Sequence, residues 1–198
     1  MTIKELTAKQ REEIFFQYMV KHFHKSEIKP FEIIEKLISE GKYVCYGLFN
    51  SKEDQLKGYA YFIKNEDDKI LLLDYLAVLK PYRCHGIGGK FLNQMRKMFA
   101  GEYKTILAEV ENPDFAYNKA DSLLRKRRIQ FYLKNGMSLS NVLARVSVDN
   151  YRILFMSLEE VTQEDNKILK AMDTIYQIAF HKEFYEKHIE LEISNVII

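Results

Sequence analysis

The sequence predicts an α/β fold of the α+β type, in which helices flank a mixed, mostly antiparallel sheet with one parallel pair of strands. The apolar runs Tyr43–Phe49 and Lys57–Lys64 are separated by a polar turn, which indicates a hairpin. A third run, Ile70–Val78, follows a second polar turn and extends this antiparallel set. The run Thr105–Val110 comes after an amphipathic helix, and two strands joined by a helical crossover are parallel.

Two helices are predicted before the first hairpin. A short strand, Ile3–Leu6, precedes the first helix, and Thr7 with Gln10 has the spacing of a capping box that opens it. The second helix begins near Pro30, a tolerated first-turn residue, and ends at Gly41. The apolar residues at helical spacing are Ile14, Phe15, Tyr18, Met19, Phe31, Ile34, Leu37 and Ile38. Each helix is therefore expected to bury one face.

After the parallel pair the chain continues with a helix and a hairpin. The helix is predicted from about Asp121 to Asn135-Gly136, and it carries Leu123, Leu124, Arg128, Phe131 and Tyr132. The strands Val142–Val148 and Tyr151–Leu158 follow, joined by a turn at Asp149-Asn150. The resulting order of elements is β-α-α-β-β-β-α-β-α-β-β.

Residues 159–198 are predicted to form an appendage to a domain that spans residues 1–158. Thr162 and Asp165 have the spacing of a helix cap, and apolar residues recur at helical spacing from Ile168 to Ala179. The alternation of Ile189, Leu191 and Ile193 indicates a final strand. We expect the appendage to pack on the same domain, where it covers the flank or forms a homodimer contact; a role in substrate recognition is the weaker alternative.

The composition is that of a folded protein with nearly balanced charge. Thirty Lys and Arg oppose twenty-eight Asp and Glu in 198 residues, a net charge of +2, which favours neither a nucleic acid nor a membrane as partner. No apolar run reaches membrane-spanning length and no signal peptide is evident, so a cytoplasmic location is expected. Cys45 and Cys84 lie far apart, which predicts reduced thiols. His22 and His24 lie two apart on a helix, and no metal site is predicted.

The most informative segment is the glycine-rich loop after Val78. Its glycines, at positions 86, 88 and 89, let the backbone bend and an anion approach, and the first N–H groups of the next helix have no intrahelical partner. Such a loop is a phosphate cradle. A Walker-type loop is excluded, because Cys84 replaces its first glycine and Phe91 its Ser or Thr. A dinucleotide fingerprint is half present: Phe91 replaces its third glycine, although Glu109 lies where its acidic residue would.

The hexapeptide Arg83-Cys84-His85-Gly86-Ile87-Gly88 resembles the coenzyme A signature of the GNAT superfamily of N-acetyltransferases, Arg/Gln-x-x-Gly-x-Gly/Ala after an apolar strand. Phe131-Tyr132, with Gly136 after it, resembles the later helix of that family. The similarity extends from about Tyr43 to Leu158. It implies a GNAT-like acyl-CoA N-acyltransferase fold with a central splayed pair of parallel strands, and acetyl-coenzyme A as cosubstrate.

The resemblance also implies which residues bind the cosubstrate. These come from a strand end, the loop, and the region before and within the later helix: Leu76, Ala77, Val78, Arg83, Cys84, His85, Gly86, Ile87, Gly88, Gly89, Asn112 and Tyr132. An insertion separates Asn112 from Tyr132. Either Asn112 or Asn118, or neither, therefore keeps the pantetheine contact of the family.

Acyl transfer to an amine needs an acid and a base. Tyr132 matches the position of the family's general acid, which protonates the coenzyme A thiolate. Glu109 and Glu111 lie two apart on a strand, hence on one face, near its carboxyl end. Glu109 is the first candidate for the base, ahead of Glu111, and Asp74 is a third.

Three functions follow as hypotheses. The first is an N-acetyltransferase that acts on a primary amine, small or peptidic, with the two glutamates favouring a cationic acceptor over an acidic one. The second is a coenzyme A-binding sensor or scaffold without turnover. The third, a nicotinamide-dependent oxidoreductase, predicts stabilisation by NAD rather than by coenzyme A.

Overall fold

A computed structural model describes residues 1–50, 55–159 and 164–194. The strands are β1 (Thr2–Glu5), β2 (Tyr43–Phe49), β3 (Leu56–Asn65), β4 (Ile70–Val78), β5 (Thr105–Glu111), β6 (Ser138–Val146), β7 (Asp149–Ser157) and β8 (Ile189–Ile193). The α-helices are α1 (Ala8–Ile14), α2 (Val20–His22), α3 (Phe31–Ser39), α4 (Ile87–Phe99), α5 (Lys119–Lys134), α6 (Asp165–Ala179) and α7 (Lys182–His188). The predicted order of elements is confirmed.

The chain divides into two compact units, and β4 and α4 contribute residues to both. Unit 1 comprises Met1–Lys64 and Leu73–Met95, and unit 2 comprises Asn65–Leu72 and Arg96–Ile198. In unit 1 the strand order is β1-β2-β3-β4, and β2 pairs antiparallel with both β1 and β3. In unit 2 the order is β4-β5-β7-β6-β8.

The core of unit 1 is rich in tyrosine. The ring of Tyr61 packs edge-on against those of Tyr43, Tyr59 and Tyr75, at centroid distances of 6.1, 5.7 and 6.2 Å. All four side chains are buried. Beside this cluster, the guanidinium of Arg11 binds both carboxylate oxygens of Glu35 at 2.6 Å and so ties α1 to α3.

The first helical segment begins as predicted and is then interrupted. Thr7 and Gln10 form the capping box of α1. Residues Phe15–Met19 then form a π-helical turn, in which the Val20 N–H donates to the carbonyl of Phe15 five residues back. This wider turn was not predicted, because the apolar spacing of Phe15 and Met19, both buried, also fits a regular helix.

In unit 2 the sheet is mixed. β4 and β5 are the parallel pair, and just before them the Lys104 N–H donates to the carbonyl of Lys69 at 2.7 Å. The pairs β5 with β7, β7 with β6 and β6 with β8 are all antiparallel. The predicted mixed sheet with one parallel pair is therefore confirmed.

Two local predictions in unit 2 were wrong. The last hairpin turns at residues 147 and 148, because Ser147 takes a positive φ of 57° and Asp149 already pairs with Val146. Helix α5 begins at Lys119 rather than near Asp121, because the Asn118 side chain caps it. Of the apolar residues that this helix was expected to carry, Leu123 and Leu124 are exposed and Phe131 is half-buried, whereas the charged Arg125 is buried.

The C-terminal segment is part of unit 2. β8 pairs with β6, and α6 packs against both strands through the buried side chains of Ile168, Ala171, Met172, Ile175, Tyr176 and Ala179. Thr162, the predicted cap, lies outside the described residues, and α7 was not predicted. The boundary after residue 158 stays a prediction. Among the described residues, no helix combines the length and the apolar character needed to span a membrane.

Candidate active site

The glycine-rich loop in unit 1 leads from β4 into α4. Cys84 and Gly86 both have a positive φ, of 64° and 70°, which lets the chain reverse before the helix. Helix α4 begins at Ile87, and its first backbone bond runs from the Lys90 N–H to the Gly86 carbonyl at 3.1 Å. The N–H groups of Ile87, Gly88 and Gly89 therefore precede the intrahelical ladder.

Arg83 ties this loop back to the strand that it leaves. Its Nε donates to the Val78 carbonyl at 2.8 Å, which uses one of the five N–H donors of an exposed guanidinium. His85 Nδ1 lies 2.6 Å from the Arg83 carbonyl, so this imidazole bonds within the loop. The side chain of Cys84 is exposed.

The loop fits the diphosphate of coenzyme A. A Cβ added at Gly86 would meet no atom of the described residues within 4 Å, so the space beside the turn is open. Unpaired N–H groups of a helix N-terminus, a nearby guanidinium and open space are what a phosphate requires. This loop contains seven of the predicted binding residues, from Arg83 to Gly89.

The end of β4 carries the three predicted backbone contacts. Ala77 is buried, whereas Leu76 and Val78 are half-buried. On β3, a Cβ added to Gly58 would lie 2.7 Å from the Ala77 carbonyl. Only glycine therefore fits beside this end of the strand without a shift of the backbone.

Asp74, the third candidate base, lies in a buried polar cluster of unit 1. Its Oδ1 accepts from Lys29 Nζ at 2.7 Å and its Oδ2 from the Tyr43 hydroxyl. The ammonium of Lys29 also lies 5.6 Å from the centroid of the Tyr75 ring. Burial, followed by the Asp74 charge, raises the pKa of Tyr43 well above its usual value. Asp74 is thus paired, and the sequence pattern gave no sign of Lys29 as its partner.

An open cavity of about 470 Å³ lies in unit 1 between α1 and the segment that follows β4. Glu13, Tyr18 and His22 line it on the helical side, and Lys80 and Tyr82 on the other. His22 Nδ1 is 2.9 Å from the Tyr59 hydroxyl. Burial, and then the positive charge of Arg83, lower the pKa of His22.

The two candidate glutamates in unit 2 have different partners. Both are half-buried at the end of β5, on either side of the buried Val110, as expected for residues on one face. Glu109 accepts a hydrogen bond from the Tyr176 hydroxyl of α6. Glu111 forms ion pairs with Arg128 and, at 3.5 Å, with Arg125, both on α5.

Tyr132, the candidate acid, lies in the last turns of α5. Its side chain is half-buried, and its ring packs edge-on against that of Phe131 at 5.2 Å. Burial raises the pKa of Tyr132 to about 12, although the charge of Arg128 opposes this shift. The phenol is therefore protonated at neutral pH.

The two candidate asparagines serve as caps. Asn112 Oδ1 accepts from the Asp114 N–H at 3.1 Å, and Asn118 Oδ1 accepts from the Asp121 N–H at 3.0 Å. Arg125 holds the segment between these two residues. It donates to the carbonyl of Asn112 at 3.0 Å, pairs with Asp121 at 3.0 Å, and its guanidinium carbon lies 5.7 Å from the Tyr117 ring centroid.

Within the described residues, no group of three or more His, Cys, Asp or Glu is arranged to hold a metal ion.

Known proteins resemble this chain in sequence and in fold. Residues 5–119 match the acetyltransferase (GNAT) family. YjbC of Bacillus subtilis (strain 168), named as an acetyltransferase, is 27% identical over 170 residues, which cover 82% of this chain and 79% of YjbC.

Solved structures share the fold. A structure from Bacteroides thetaiotaomicron, named as a GNAT-family acetyltransferase, has a TM-score of 0.69 at 16% identity and covers 90% of this chain and 96% of that chain. An aminoglycoside 6'-N-acetyltransferase complexed with coenzyme A has a TM-score of 0.58 at 16% identity, covering 82% of this chain and 100% of that chain. The family match spans more than half of the sequence, and it includes both the loop after β4 and the two glutamates of β5. The chain belongs to the GNAT family of acetyltransferases.

Proposed function

We propose that this protein transfers the acetyl group of acetyl-coenzyme A to a primary amine. One observation carries this proposal beyond family membership: a reversed, open loop after β4 presents the first N–H groups of α4 beside the guanidinium of Arg83. When bound, acetyl-coenzyme A supplies an activated thioester. The N–H groups from Ile87 to Gly89 would bind its diphosphate, with Arg83 adding positive charge and Cys84, His85 and Gly86 forming the turn.

The end of β4 has a positioning role in this proposal. The backbone of Leu76, Ala77 and Val78 would bind the amides of the pantetheine arm, as the family resemblance implies. Support comes from the half-exposure of Leu76 and Val78. Asn112 uses its Oδ1 for a cap, so its Nδ2 is the group that we assign to a pantetheine contact.

Glu109 is the base that we prefer. A carboxylate that forms ion pairs with two guanidinium groups is held in its charged form and is a weak proton acceptor. Glu111 is in this situation with Arg125 and Arg128. Glu109 accepts a hydrogen bond from the Tyr176 hydroxyl and is half-buried, and partial burial makes the charged form of a carboxylate less favourable. The proton that Glu109 takes from the acceptor ammonium would pass on to solvent.

Tyr132 is the acid that we prefer. A general acid must carry its proton at working pH, and the pKa of about 12 keeps this phenol protonated throughout the neutral range. The half-exposed side chain could then give its proton to a departing thiolate. Because burial also raises the free energy of the phenolate, Tyr132 would have to regain a proton as soon as it has given one to the thiolate.

The acceptor belongs to the class of cationic primary amines in this proposal. A coenzyme A-bound structure with the same fold is an aminoglycoside 6'-N-acetyltransferase, which supports an amino group as the acceptor. In this chain the carboxylates of β5 favour an acceptor that carries positive charge over an acidic one.

The proposal is tested by following release of free thiol from acetyl-coenzyme A across a panel of amines. The panel contains an aminoglycoside, a linear polyamine, a lysine peptide and an acidic amino acid. We expect release with at least one cationic amine, together with a binding isotherm for coenzyme A. Binding without release on any amine would support the sensor or scaffold function instead, and thermal stabilisation by NAD but not by coenzyme A would contradict both.

A further inference from the structure

A hydrogen bond links the C-terminal segment to the candidate base. Tyr176 lies on α6, 67 residues after Glu109, and its hydroxyl donates to Glu109 Oε1. Tyr176 is also outside the stretch of residues 5–119 that matches the family. The contact therefore joins a catalytic candidate of the family region to a helix that the family match does not include.

Tyr176 is rigidly held. Its side chain is 1% exposed, and its ring packs at 5.9 Å from the ring of Phe180. The side chains on the same face of α6 are buried as well, and the helix packs against β6 and β8. A buried aromatic ring has one rotamer available, so its hydroxyl is a fixed donor rather than a mobile one.

A fixed O–H donor has two effects on a carboxylate. It determines which way the carboxylate plane is turned, and it stabilises the charged form over the protonated form. A general base needs both properties, since it must point a lone pair at the proton that it receives and must be ionised beforehand. Tyr176 makes and breaks no covalent bond in this role, and its own proton stays on the phenol oxygen.

We propose that Tyr176 is a positioning residue that orients Glu109 toward the acceptor amine. This inference rests on the proposed function, in which Glu109 is the base. The C-terminal segment would then have a role in catalysis, in addition to packing against β6.

Other charged and titratable groups lie close to Glu109 in unit 2. Glu111 is on the same face of β5, and Arg125 and Arg128 of α5 pair with it. On β7, Tyr151 lies opposite Glu111 and the apolar Ile153 lies opposite Glu109. The two arginines act on Glu111 directly, whereas the Tyr176 hydroxyl bonds to Glu109 itself, so its removal changes the surroundings of Glu109 directly.

The test compares Tyr176→Phe with the control Tyr185→Phe. The hydroxyl of Tyr185, on α7, also donates a hydrogen bond to a carboxylate of the C-terminal segment, that of Asp173. Both variants lose one hydroxyl and keep the ring, and thermal unfolding checks that each is folded. We expect Tyr176→Phe to lower kcat about tenfold with little change in the KM for acetyl-coenzyme A, and to move the acidic limb of the kcat/KM profile upward by about one pH unit. Tyr185→Phe should leave kcat and the pH profile of kcat/KM unchanged.

A measurement independent of turnover accompanies the kinetics. Titration of the Glu109 side-chain carboxyl carbon by NMR, assigned with Glu109→Gln, should show the pKa of Glu109 higher in Tyr176→Phe than in the wild type. The double variant Glu109→Gln/Tyr176→Phe should be no slower than Glu109→Gln alone, because a positioning residue acts only through its partner.

Two failures are distinguishable. A wild-type protein that releases no thiol with any amine contradicts the proposed function. An active wild type whose Tyr176→Phe variant matches Tyr185→Phe in kcat, pH profile and Glu109 titration contradicts this inference alone.

Discussion

At the scale of single residues, Tyr132 links an electrostatic property to a function. We predict that Tyr132→Phe lowers kcat about 100-fold and leaves the affinity for coenzyme A nearly unchanged, since it removes a proton donor but keeps the ring. Steady-state thiol release gives kcat, and calorimetric titration with coenzyme A gives the affinity. Tyr117→Phe, at a side chain that is 84% exposed, is the matched control. Full activity of Tyr132→Phe at every pH would remove the tyrosine from its proposed role.

The sequence predicts the burial and the contacts of some side chains better than those of others. Tyr176 was expected on the buried face of its helix, and it is there. Its bond to Glu109 was not predictable, because the partners are 67 residues apart and meet only through the packing of α6. Arg125 opens the basic run Arg125-Lys126-Arg127-Arg128, a pattern typical of an exposed helix face, yet it is buried. Its burial depends on partners on other segments, the Asn112 carbonyl and the Glu111 carboxylate, which a periodicity argument does not include.

At the scale of elements, the loop between β4 and α4 is the part most open to a direct test. We predict that Gly88→Glu abolishes coenzyme A binding, because the carboxylate would fill the start of α4 with bulk and with charge of the same sign as a phosphate. Met98→Glu is the control: it adds the same charge at an exposed position near the other end of this helix. Calorimetric titration should give no binding for the first variant and wild-type affinity for the second. Equal affinities would exclude the loop as the diphosphate site.

Arg125 of α5 contacts the segment from Asn112 to Asn118 at more than one point. We predict that Arg125→Ala lowers the free energy of unfolding by about 3 kcal/mol, because it leaves Asp121 and the Asn112 carbonyl without their buried partner. Arg127→Ala removes an exposed arginine from the same helix and should change stability by less than about 0.5 kcal/mol. Urea titration of both variants provides the comparison. Similar midpoints for the two variants would mean that the Arg125 network contributes little.

Elements were predicted best where local pattern and packing agree. The bounds of β2 and β4 match the expected runs to the residue, because both are apolar segments closed by turn residues. Helix α5 lacks an apolar stripe, so its residue pattern did not indicate which side of the helix is buried. The turn of the last hairpin was predicted at Asp149-Asn150, because Asp and Asn favour turns, but it depends on Ser147 taking a positive φ.

At the scale of the whole molecule, buried tyrosines make the free energy of unfolding fall as the pH becomes alkaline. Burial raises the pKa values of Tyr43, Tyr59 and Tyr61, and that of Tyr132 to about 12. In the unfolded chain these phenols ionise near pH 10, while the folded protein still holds their protons. The contribution to stability is therefore complete below about pH 10 and is lost as pH rises toward the folded values, by about 1.4 kcal/mol per pH unit for each tyrosine.

Chemical denaturation between pH 8 and pH 11.5 measures this loss. We expect Tyr61→Phe to make the decline less steep, whereas the exposed Tyr117→Phe should leave the slope unchanged. At neutral pH the Tyr61 substitution should cost little, because its buried hydroxyl has no hydrogen-bond partner among the described residues. A slope that is the same in all three proteins would show that Tyr61 ionises normally.

The family fold was predictable from a few segments because topology depends mainly on the order of elements and on one helical crossover. The acid candidate, Tyr132, followed from the same resemblance, whereas Glu109 and Glu111 followed from their spacing near the end of a strand. The ion pairs of Glu111 could not be predicted without the tertiary structure, since Arg125 and Arg128 approach β5 from a helix whose own sequence does not indicate a buried side.

The π-helical turn at Phe15–Met19 has a consequence for insertion and deletion. Such a turn accommodates one residue more than an α-helical turn, so deletion of the exposed Gln17 should convert the segment from α1 to α2 into continuous α-helix. Because the wider turn absorbs the extra residue, everything after the deletion would keep its orientation about the helix axis, whereas the same deletion from an α-helical turn would rotate it by about 100°. His22 would therefore stay beside the Tyr59 hydroxyl that it now contacts at 2.9 Å, and it would keep its place in the lining of the cavity.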